Sequence, residues 1–272
     1  MMEFIDPIFL IILGMTVGIY AGAIGAGGGF LIAPILLLRH PYATPTEITA
    51  AALIYVVINS AIQVSLAIRE QKIDTQLILT LAIIGIPAAI LGGLTTELIE
   101  RVYFSFGFGI FLVLVGIYIM LRPTMISDRM PSQGWSRNIK DRQGNLYNYT
   151  VPVARSGIAQ AATAFFSALA GIGGGPIGIP VMTRIQRVPH DIAVPSMHLL
   201  ILIQSLSVTG VHFFNNVGGS PLNDVPWLAA GVLIAGPIAL KVRHRTGEGN
   251  LMRALAIGLI IIGISAACDI FR

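Results

Sequence analysis

The fold is decided by the stretch Gly22-Ala-Ile-Gly25-Ala-Gly27-Gly28-Gly29-Phe30-Leu-Ile-Ala-Pro34 and by its second copy, Gly171-Ile-Gly173-Gly174-Gly175-Pro176-Ile-Gly-Ile-Pro180. A glycine triplet in an apolar run leaves backbone amides uncovered, and glycine tolerates conformations that break a helix. Such a break exposes the N-terminus of a half-helix, where free N–H groups and the positive end of the helix dipole favour an anion. Broken helices at matching positions of two halves are typical of the binding site of a secondary transporter.

The composition predicts an integral membrane protein. Hydrophobic residues make up 55% of the chain, charged residues make up 11%, and the mean hydropathy is +0.81, unlike a soluble domain. The net charge is +4, but the basic residues stand between apolar segments without interleaved aromatic residues, which argues against a nucleic-acid partner. The single cysteine, Cys268, excludes an internal disulfide and a cysteine metal cluster. Acidic Glu3 and Asp6 predict that no signal peptide is cleaved.

The first apolar segment, residues 5–38, has a length that fits neither one membrane crossing nor two. As a single helix it would be about 50 Å long, whereas a bilayer core is crossed by about 20 residues. Because the glycines interrupt it, we predict a re-entrant hairpin of two short arms that returns to the side it entered. Irregular backbone at that depth is tolerated where protein buries it.

Three more apolar runs complete the first half, at residues 48–68, 77–96 and 102–121. Thr44 and Glu47 are spaced as a capping box, which predicts the start of the first of these helices. Tyr55, Asn59 and Gln63 recur every four positions and therefore share one face of that helix. We predict that each run crosses the membrane once.

A polar stretch, residues 122–152, separates the two halves. Asp128, Arg129, Lys140, Gly144 and Asn145 give it the composition of a loop. We therefore predict three parts: a first membrane repeat at residues 1–121, a cytoplasmic linker loop at residues 122–152 and a second membrane repeat at residues 153–272.

The second half repeats the first. A shift of 146 residues places Gly27, Gly28 and Gly29 on Gly173, Gly174 and Gly175, Asn59 on Ser205, and Gln63 on Thr209. This match indicates an internal duplication. His198, Ser205, Thr209 and His212 form a polar stripe on the second span of this half. The pairing of individual residues in that span stays open, because Glu47 and Asp191 align only with a shift of 144.

The distribution of basic residues predicts the topology. If every long apolar segment crosses once, the 17 Lys and Arg residues divide into 9 and 8, and no side is favoured. If both glycine segments turn back, 14 basic residues share one side and only Arg39, Arg101 and Arg272 lie on the other. The basic side faces the cytoplasm by the positive-inside rule, so both termini are predicted to lie outside.

The predicted fold is an all-α integral membrane protein of two inverted repeats. Each repeat has one glycine-broken hairpin and three transmembrane helices, and this odd number of crossings inverts the second repeat relative to the first. The two glycine tips would then meet near the membrane midplane, where a transporter with alternating access holds its substrate.

The two glycine motifs resemble those of the sulfite exporter TauE/SafE family of membrane permeases, and the length, duplication and polar linker also fit that family. The resemblance implies transport of a small sulfur-containing anion, such as sulfite, a sulfonate, sulfoacetate or thiosulfate, across a prokaryotic-type inner membrane. The chain departs from a pure glycine pattern at Ala26 and at Pro176. Proline has no N–H, so the second tip offers one amide fewer.

The candidate substrate-binding residues are the two glycine triplets and four polar side chains, namely Gly27, Gly28, Gly29, Gly173, Gly174, Gly175, Asn59, Gln63, Ser205 and Thr209. The four side chains fit equally well as hydrogen-bonding partners of neighbouring helices. His198 and His212 are candidate proton carriers. A neutral histidine bonded to a backbone carbonyl is the other interpretation of each. No cofactor or metal is predicted.

Enzyme classes fit poorly. Phe30 and Pro176 stand where a dinucleotide fingerprint needs its third glycine, and the apolar segments hold no paired carboxylates. The alternative to a secondary transporter is an anion channel or a uniporter for another small anion. The sequence leaves open the anion, the direction of transport, the coupling ion and the oligomeric state.

Overall fold

The computed structural model describes residues 2–121, 134–246 and 248–268. These residues form a helical protein with one small β-hairpin, whose elements are α1 (Met2–Ile24), α2 (Gly29–Arg39), α3 (Pro45–Glu70), α4 (Thr75–Thr96), α5 (Arg101–Leu121), β1 (Trp135–Lys140), β2 (Leu146–Val151), α6 (Val153–Leu169), α7 (Gly175–Pro180), α8 (His190–Phe214), α9 (Val225–Arg245) and α10 (Glu248–Cys268). A π-helical turn, Val181–Ile185, continues α7, and a 3₁₀ turn, Ser220–Asp224, leads into α9.

Six helical segments of the described residues are long and apolar enough to cross a membrane, namely Asp6–Ile24, Pro45–Glu70, Thr75–Thr96, Arg101–Leu121, His190–Phe214 and Ser220–Arg243. The prediction of an all-α integral membrane protein is therefore confirmed. The capping box at the start of α3 is also present: the Glu47 amide donates to the Thr44 hydroxyl at 3.3 Å, and the Thr44 amide donates to the Glu47 carboxylate at 2.8 Å.

The first glycine segment does break where predicted, but its arms are unequal. The helix ends at Ile24 and a new one begins at Gly29. The apolar part of α1 is about 28 Å long, which is enough to span a bilayer core, and α2 is about 16 Å long. The expectation of two short arms is therefore wrong for the first arm, because the break falls late in the segment rather than at its middle.

Contacts between α1 and α2 show that this segment folds back on itself. The Arg39 side chain at the end of α2 forms an ion pair with Asp6 near the start of α1, with Nη2 and Oδ2 3.1 Å apart. Closer to the turn, the rings of Tyr20 and Phe30 lie 6.3 Å apart. Arg39 also pairs with Asp224, which precedes α9, at 2.8 Å. The outer ends of α1 and α2 therefore lie together at one end of the helix bundle.

The helix pairs of the bundle are matched between the two halves of the chain. Helix α1 packs on α9, and α6 packs on α4; α3 packs on α8, and α5 packs on α10. If α1 to α5 are exchanged, in order, with α6 to α10, the α1–α9 pair becomes the α6–α4 pair, and the α3–α8 and α5–α10 pairs stay the same. In the α1–α9 and α4–α6 pairs the two backbones are in direct contact. A Cβ on Gly14 would overlap the backbone of Leu228, and a Cβ on Gly92 would overlap that of Phe165.

The linker contains regular structure that its loop composition did not predict. Strands β1 and β2 pair antiparallel, with Trp135 opposite Val151 and Lys140 opposite Leu146. Asp141 organises the connecting turn, since its carboxylate accepts from the amides of Gln143 and Asn145 at 2.9 Å each. Residues 122–133, the first part of the predicted linker, lie outside the described residues.

The β-hairpin is held on the helices by the buried carboxylate of Asp74, which caps α4. Arg137 of β1 donates to Asp74 through Nε at 2.8 Å and through Nη2 at 2.5 Å, and the Tyr149 hydroxyl of β2 donates to it at 2.5 Å. The Leu77 amide completes the set at 3.0 Å. Burial by itself would raise the pKa of Asp74, but the hydrogen bonds from Arg137, Tyr149 and Leu77 hold it below its ordinary value.

We expect the Asp74→Ala variant to lose about 3 kcal/mol or more of stability, because it leaves two buried donors without their acceptor. Since the pKa of Asp74 is lowered, its contribution is fully present above the ordinary pKa of about 3.9 and is lost as the pH falls through the lowered value. Thermal unfolding of the purified protein between pH 7 and pH 3 measures both effects. Gln76→Ala is the control, because exposed Gln76 contacts the same arginine at 2.5 Å. Equal melting temperatures for the two variants would contradict the prediction.

Candidate functional site

The first glycine turn, residues 25–28, joins α1 to α2 through left-handed backbone conformations. Gly25, Gly27 and Gly28 have φ angles of 86°, 73° and 102°, in the region that favours glycine over any residue with a Cβ. Gly25 ends α1 in the usual left-handed cap, with the Ala26 amide bonded to the Ala21 carbonyl at 2.9 Å. The backbone therefore requires glycine here, because one helix ends and the next begins within four residues through left-handed conformations.

The second glycine turn, residues 171–174, repeats this backbone. Gly171, Gly173 and Gly174 have φ angles of 66°, 74° and 98°, so each left-handed glycine of one turn has a counterpart 146 residues away in the other. The Ile172 amide likewise bonds to the carbonyl of Ser167 at 2.9 Å. The alignment by 146 residues thus holds for the backbone conformation of the turns.

The two glycine turns touch each other. A Cβ added to Gly29 would overlap the backbone at Gly171 and Ile172, and a Cβ added to Gly175 would overlap the backbone of Ala26. Val56 of α3 contacts both turns, because its side chain lies against Gly27 and against Gly173. Residues 21–30 and 171–176 are all buried, so the place where the turns meet is closed in this conformation.

Helix α2 begins where the two turns meet, and its first two amides precede the backbone hydrogen bonds of the helix. The amides of Leu31 and Ile32 reach back to the Gly28 carbonyl at 3.1 and 3.2 Å, so those of Gly29 and Phe30 precede these hydrogen bonds. In the second half, the Gly178 amide donates to the Gly174 carbonyl at 2.7 Å. Pro176, in the first turn of α7, has no N–H to donate. The first glycine turn therefore offers more backbone N–H donors than the second glycine turn.

Side chains of α3 and α8 hold the first hairpin by its carbonyl groups. The Asn59 amide donates to the Gly27 carbonyl at 2.8 Å, and the Tyr55 hydroxyl donates to that of Gly14 at 2.9 Å. The ring Nε2 of His198 lies 3.1 Å from the Gly22 carbonyl. Asn59 and His198 are fully buried, and Asn59 Oδ1 and His198 Nδ1 have no hydrogen-bond partner among the described residues. Each of these two side chains thus holds the first hairpin and keeps one polar atom unused.

Two buried glutamines pack their amides on glycines of neighbouring helices. Gln63 of α3 lies against Gly22, where an added Cβ would overlap its Nε2, and Gln204 of α8 lies against Gly85 in the same way. Within the described part of the chain, Nε2 of each glutamine lacks a hydrogen-bond partner. A buried donor without an acceptor costs about 1–3 kcal/mol, which is why such groups are more often found where a ligand or water can satisfy them.

Ser205, one of the predicted site residues, lies beside the second glycine turn. It lines a small cavity with Gly173, Ser167 and Gln204. The cavity volume of about 10 Å³ holds at most about one water molecule. The oxygen of Ser167 also lacks a partner.

His212 and Thr209 are not brought together with the glycine turns. His212 is 14 residues beyond His198 on α8, which is about 21 Å along the helix. Its ring lies near Gly93 of α4, and neither nitrogen has a hydrogen-bond partner in the part of the chain that the structure describes. Thr209 is half-buried one turn earlier. The stripe on α8 therefore runs from the glycine turns to the far end of the helix, and only its first part reaches the candidate site.

The sequence analysis missed Gln204, Ser167 and Gln160 as buried polar residues of this region. Gln204 is adjacent to Ser205, and an alignment by 145 residues instead of 146 would have set Asn59 on Gln204. The sequence signal for Gln204 is a change in the alignment of the two halves, from a shift of 146 residues at the glycine turn to one of 145 residues in the following span. Gln160 and Ser167 lie in α6, close to Gly85 and Gly174 respectively.

Comparison with known proteins places this helical arrangement among membrane transporters. The family model described as sulfite exporter TauE/SafE matches residues 10–266. The chain is 25% identical over 268 residues to the probable membrane transporter protein YunE of Bacillus subtilis (strain 168), covering 94% of this chain and 95% of that protein. It is 27% identical over 266 residues to the probable membrane transporter protein MJ0441 of Methanocaldococcus jannaschii, covering 94% and 93%. No solved structure gives a significant match.

Proposed function

We propose that this chain, which belongs to the sulfite exporter TauE/SafE family of membrane transporters, moves a small sulfur-containing anion across the membrane by alternating access. The observation that carries the proposal is the meeting of two matched glycine turns at the start of α2 and α7. Amides at a helix N-terminus and the positive end of its dipole favour an anion. The family description names sulfite, and we include sulfonates, sulfoacetate and thiosulfate in the proposal as other small sulfur-containing anions.

The proposed site is a binding place for one anion between the two turns. Its donors are amides at Gly29 and Phe30, with Asn59, Gln63 and Ser205 as side-chain partners and with Gly27, Gly28, Gly173, Gly174 and Gly175 as the uncovered backbone. The unused donor of Gln63, its Nε2, supports this assignment, because an anion accepts hydrogen bonds. Thr209 and His212 lie farther along α8 and are proposed to line the path to the site.

The contacts at the two ends of the bundle support an inverted-repeat arrangement. The outer ends of α1 and α2 meet Asp224, on the end that also holds Arg101. The start of α6 and the end of the π-helical turn lie instead beside Trp135 of the β-hairpin, which is docked at the opposite end of α3. We therefore propose that the two hairpins enter from opposite sides, with domain boundaries at residues 1–121, 122–152 and 153–272.

The burial of the glycine turns favours a gated transporter over an open channel. A channel needs a continuous water-filled path, whereas residues 21–30 and 171–176 are closed on both sides in this conformation. We read the structure as an occluded conformation, in which the turns must separate from each other before an anion from either side can reach the amides. Proton coupling through His198 is part of the same proposal, because its buried Nδ1 has no partner.

The proposed function is tested by flux into proteoliposomes that contain the purified protein. Sulfite, thiosulfate, a sulfonate, sulfoacetate, sulfate and a carboxylate are compared as substrates over a range of concentrations. We expect saturable uptake of at least one of the first four, and stimulation by an imposed pH gradient if protons are coupled. Uptake that rises linearly with concentration would indicate a channel. Saturable uptake of the carboxylate alone would contradict the substrate class.

A further inference from the structure

A large open groove lies at the base of the second hairpin, away from the glycine turns. Its volume is about 1430 Å³, and it is bounded by the start of α6, the end of the π-helical turn and the β-hairpin. Its lining residues are Gly134, Trp135, Pro152, Val153, Ala154, Arg155, Ile158, Ala159, Ala162, Arg184, Ile185 and Arg187. Nothing in the transport proposal uses this groove.

Two arginines of the groove, Arg155 and Arg184, have no ion-pair partner among the described residues. Among the described residues, its wall contains three arginines and no acidic side chain. Arg155 is exposed and has no hydrogen-bond or ion-pair partner in the described part of the chain. The guanidinium of Arg184 lies 5.3 Å from the ring centre of Tyr118, and its buried Nη1 has no hydrogen-bond partner from the described residues. Unpaired guanidinium donors fit a phosphate, which arginine binds with two parallel hydrogen bonds.

Below the arginines, the wall of the groove becomes apolar and faces outward. Ala154, Ile158 and Ala162 of α6 are spaced by four residues, so they share one face of the helix. All three are exposed, and Ile158 is 76% exposed. A face of this kind on a helix of a membrane protein contacts lipid chains. Trp135 stands at the arginine end, and tryptophan and arginine are both typical of the membrane–water boundary.

We propose that this groove binds one anionic phospholipid, with its phosphate on Arg155 and Arg184 and an acyl chain along Ile158 and Ala162. The groove is positively charged at the membrane boundary and apolar toward the bilayer. A phospholipid is arranged in the same order, with its phosphate at the boundary and its acyl chains in the bilayer. A soluble anion would use the arginines but not the exposed apolar face. The bound lipid would join the second hairpin to the β-hairpin, since Trp135 and Arg184 belong to these two elements.

Native mass spectrometry of the detergent-purified protein tests the proposal, with phosphatidylglycerol and phosphatidylcholine as the probes. We expect one phosphatidylglycerol to bind with at least tenfold preference over phosphatidylcholine. Each arginine near a lipid phosphate contributes about fivefold. Arg155→Gln should therefore weaken binding about fivefold and the double variant with Arg184→Gln about 25-fold. Arg155 is exposed and unpaired, so the single variant will fold even if the double variant does not.

Four comparisons decide the result. Arg253→Gln removes an exposed arginine of α10 outside the groove and should leave phosphatidylglycerol binding unchanged. Ile158→Asp should reduce phosphatidylglycerol binding, because it places a charge where the acyl chain would lie. Equal binding by the wild type and Arg155→Gln would overturn the proposal. Competition by inorganic phosphate at the same concentration as the lipid would also overturn it, since the groove would then be a site for soluble anions.

Discussion

Replacing Gly175 with alanine should reduce the affinity for the transported anion by about tenfold to a hundredfold. The added Cβ would overlap the backbone of Ala26 in the other hairpin, and a backbone cannot rotate away as a side chain can. Forced packing of this kind costs about 1–3 kcal/mol, and each 1.4 kcal/mol is a factor of ten in affinity. The two turns would be pushed apart, and the donors at Gly29 would lose their position. Isothermal titration with the substrate found in the flux screen measures the effect.

Gly174→Ala separates backbone conformation from crowding at the same site. The nearest atom to its added Cβ would be 3.4 Å away, an ordinary contact, but the φ of Gly174 is 98°. Alanine in that region is strained by about 1–2 kcal/mol, so affinity should fall about tenfold. Because there is space for the methyl group, this variant remains a test if Gly175→Ala does not fold.

Gly210→Ala is the matched control for both variants. Gly210 lies within α8, and an added Cβ would have no atom within 4 Å. Alanine is favoured over glycine in a helix interior by up to about 1 kcal/mol, so the variant should fold well and bind as the wild type does. If Gly174→Ala and Gly175→Ala both fold and both bind within twofold of the wild type, the anion does not bind at the glycine turns.

The glycine turns could be predicted from the sequence because their conformation is local. Left-handed backbone at Gly25, Gly27 and Gly28 follows from the absence of a Cβ, and the second copy repeats the cause and the result. Helix starts with a local signal, such as the capping box of Thr44 and Glu47, were also predictable. In these places no distant residue is needed to choose the conformation.

The β-hairpin and the buried polar residues could not be predicted in the same way. The docking of the hairpin, residues 135–151, on the helices depends on Asp74, whose partners Arg137 and Tyr149 lie 63 and 75 positions away. Helical periodicity places His198 and His212 on one face of α8, and the residue separation gives their distance along the helix, but neither gives the helix that each residue contacts. His198 contacts the first hairpin while His212 lies near Gly93, and only the packing of α8 between α3 and α4 separates their environments.

Cysteine labelling should give an all-or-none result at the two ends of the helix bundle. We expect both termini and the loop before α3 to face outside, and the β-hairpin to face the cytoplasm. Tyr42 is 98% exposed, whereas Gln143 is exposed in the turn between β1 and β2. In a chain with Cys268→Ser, an impermeant maleimide applied to intact cells should label Tyr42→Cys completely. It should label Gln143→Cys only after the membrane is made permeable.

The contacts give a physical reason for this expectation, and they add a third position to the test. Glu70 pairs with Arg243 at 2.7 Å, and Lys72 lies 3.9 Å from Asp141. These residues join the α3–α4 connection, the end of α9 and the β-hairpin on one side, where the basic residues are concentrated. Because Asp6 pairs with Arg39, a cysteine at Glu3 should react on the same side as one at Tyr42. Labelling of Gln143→Cys in intact cells would invert the orientation, and opposite accessibility of positions 3 and 42 would mean that the first glycine segment crosses the membrane.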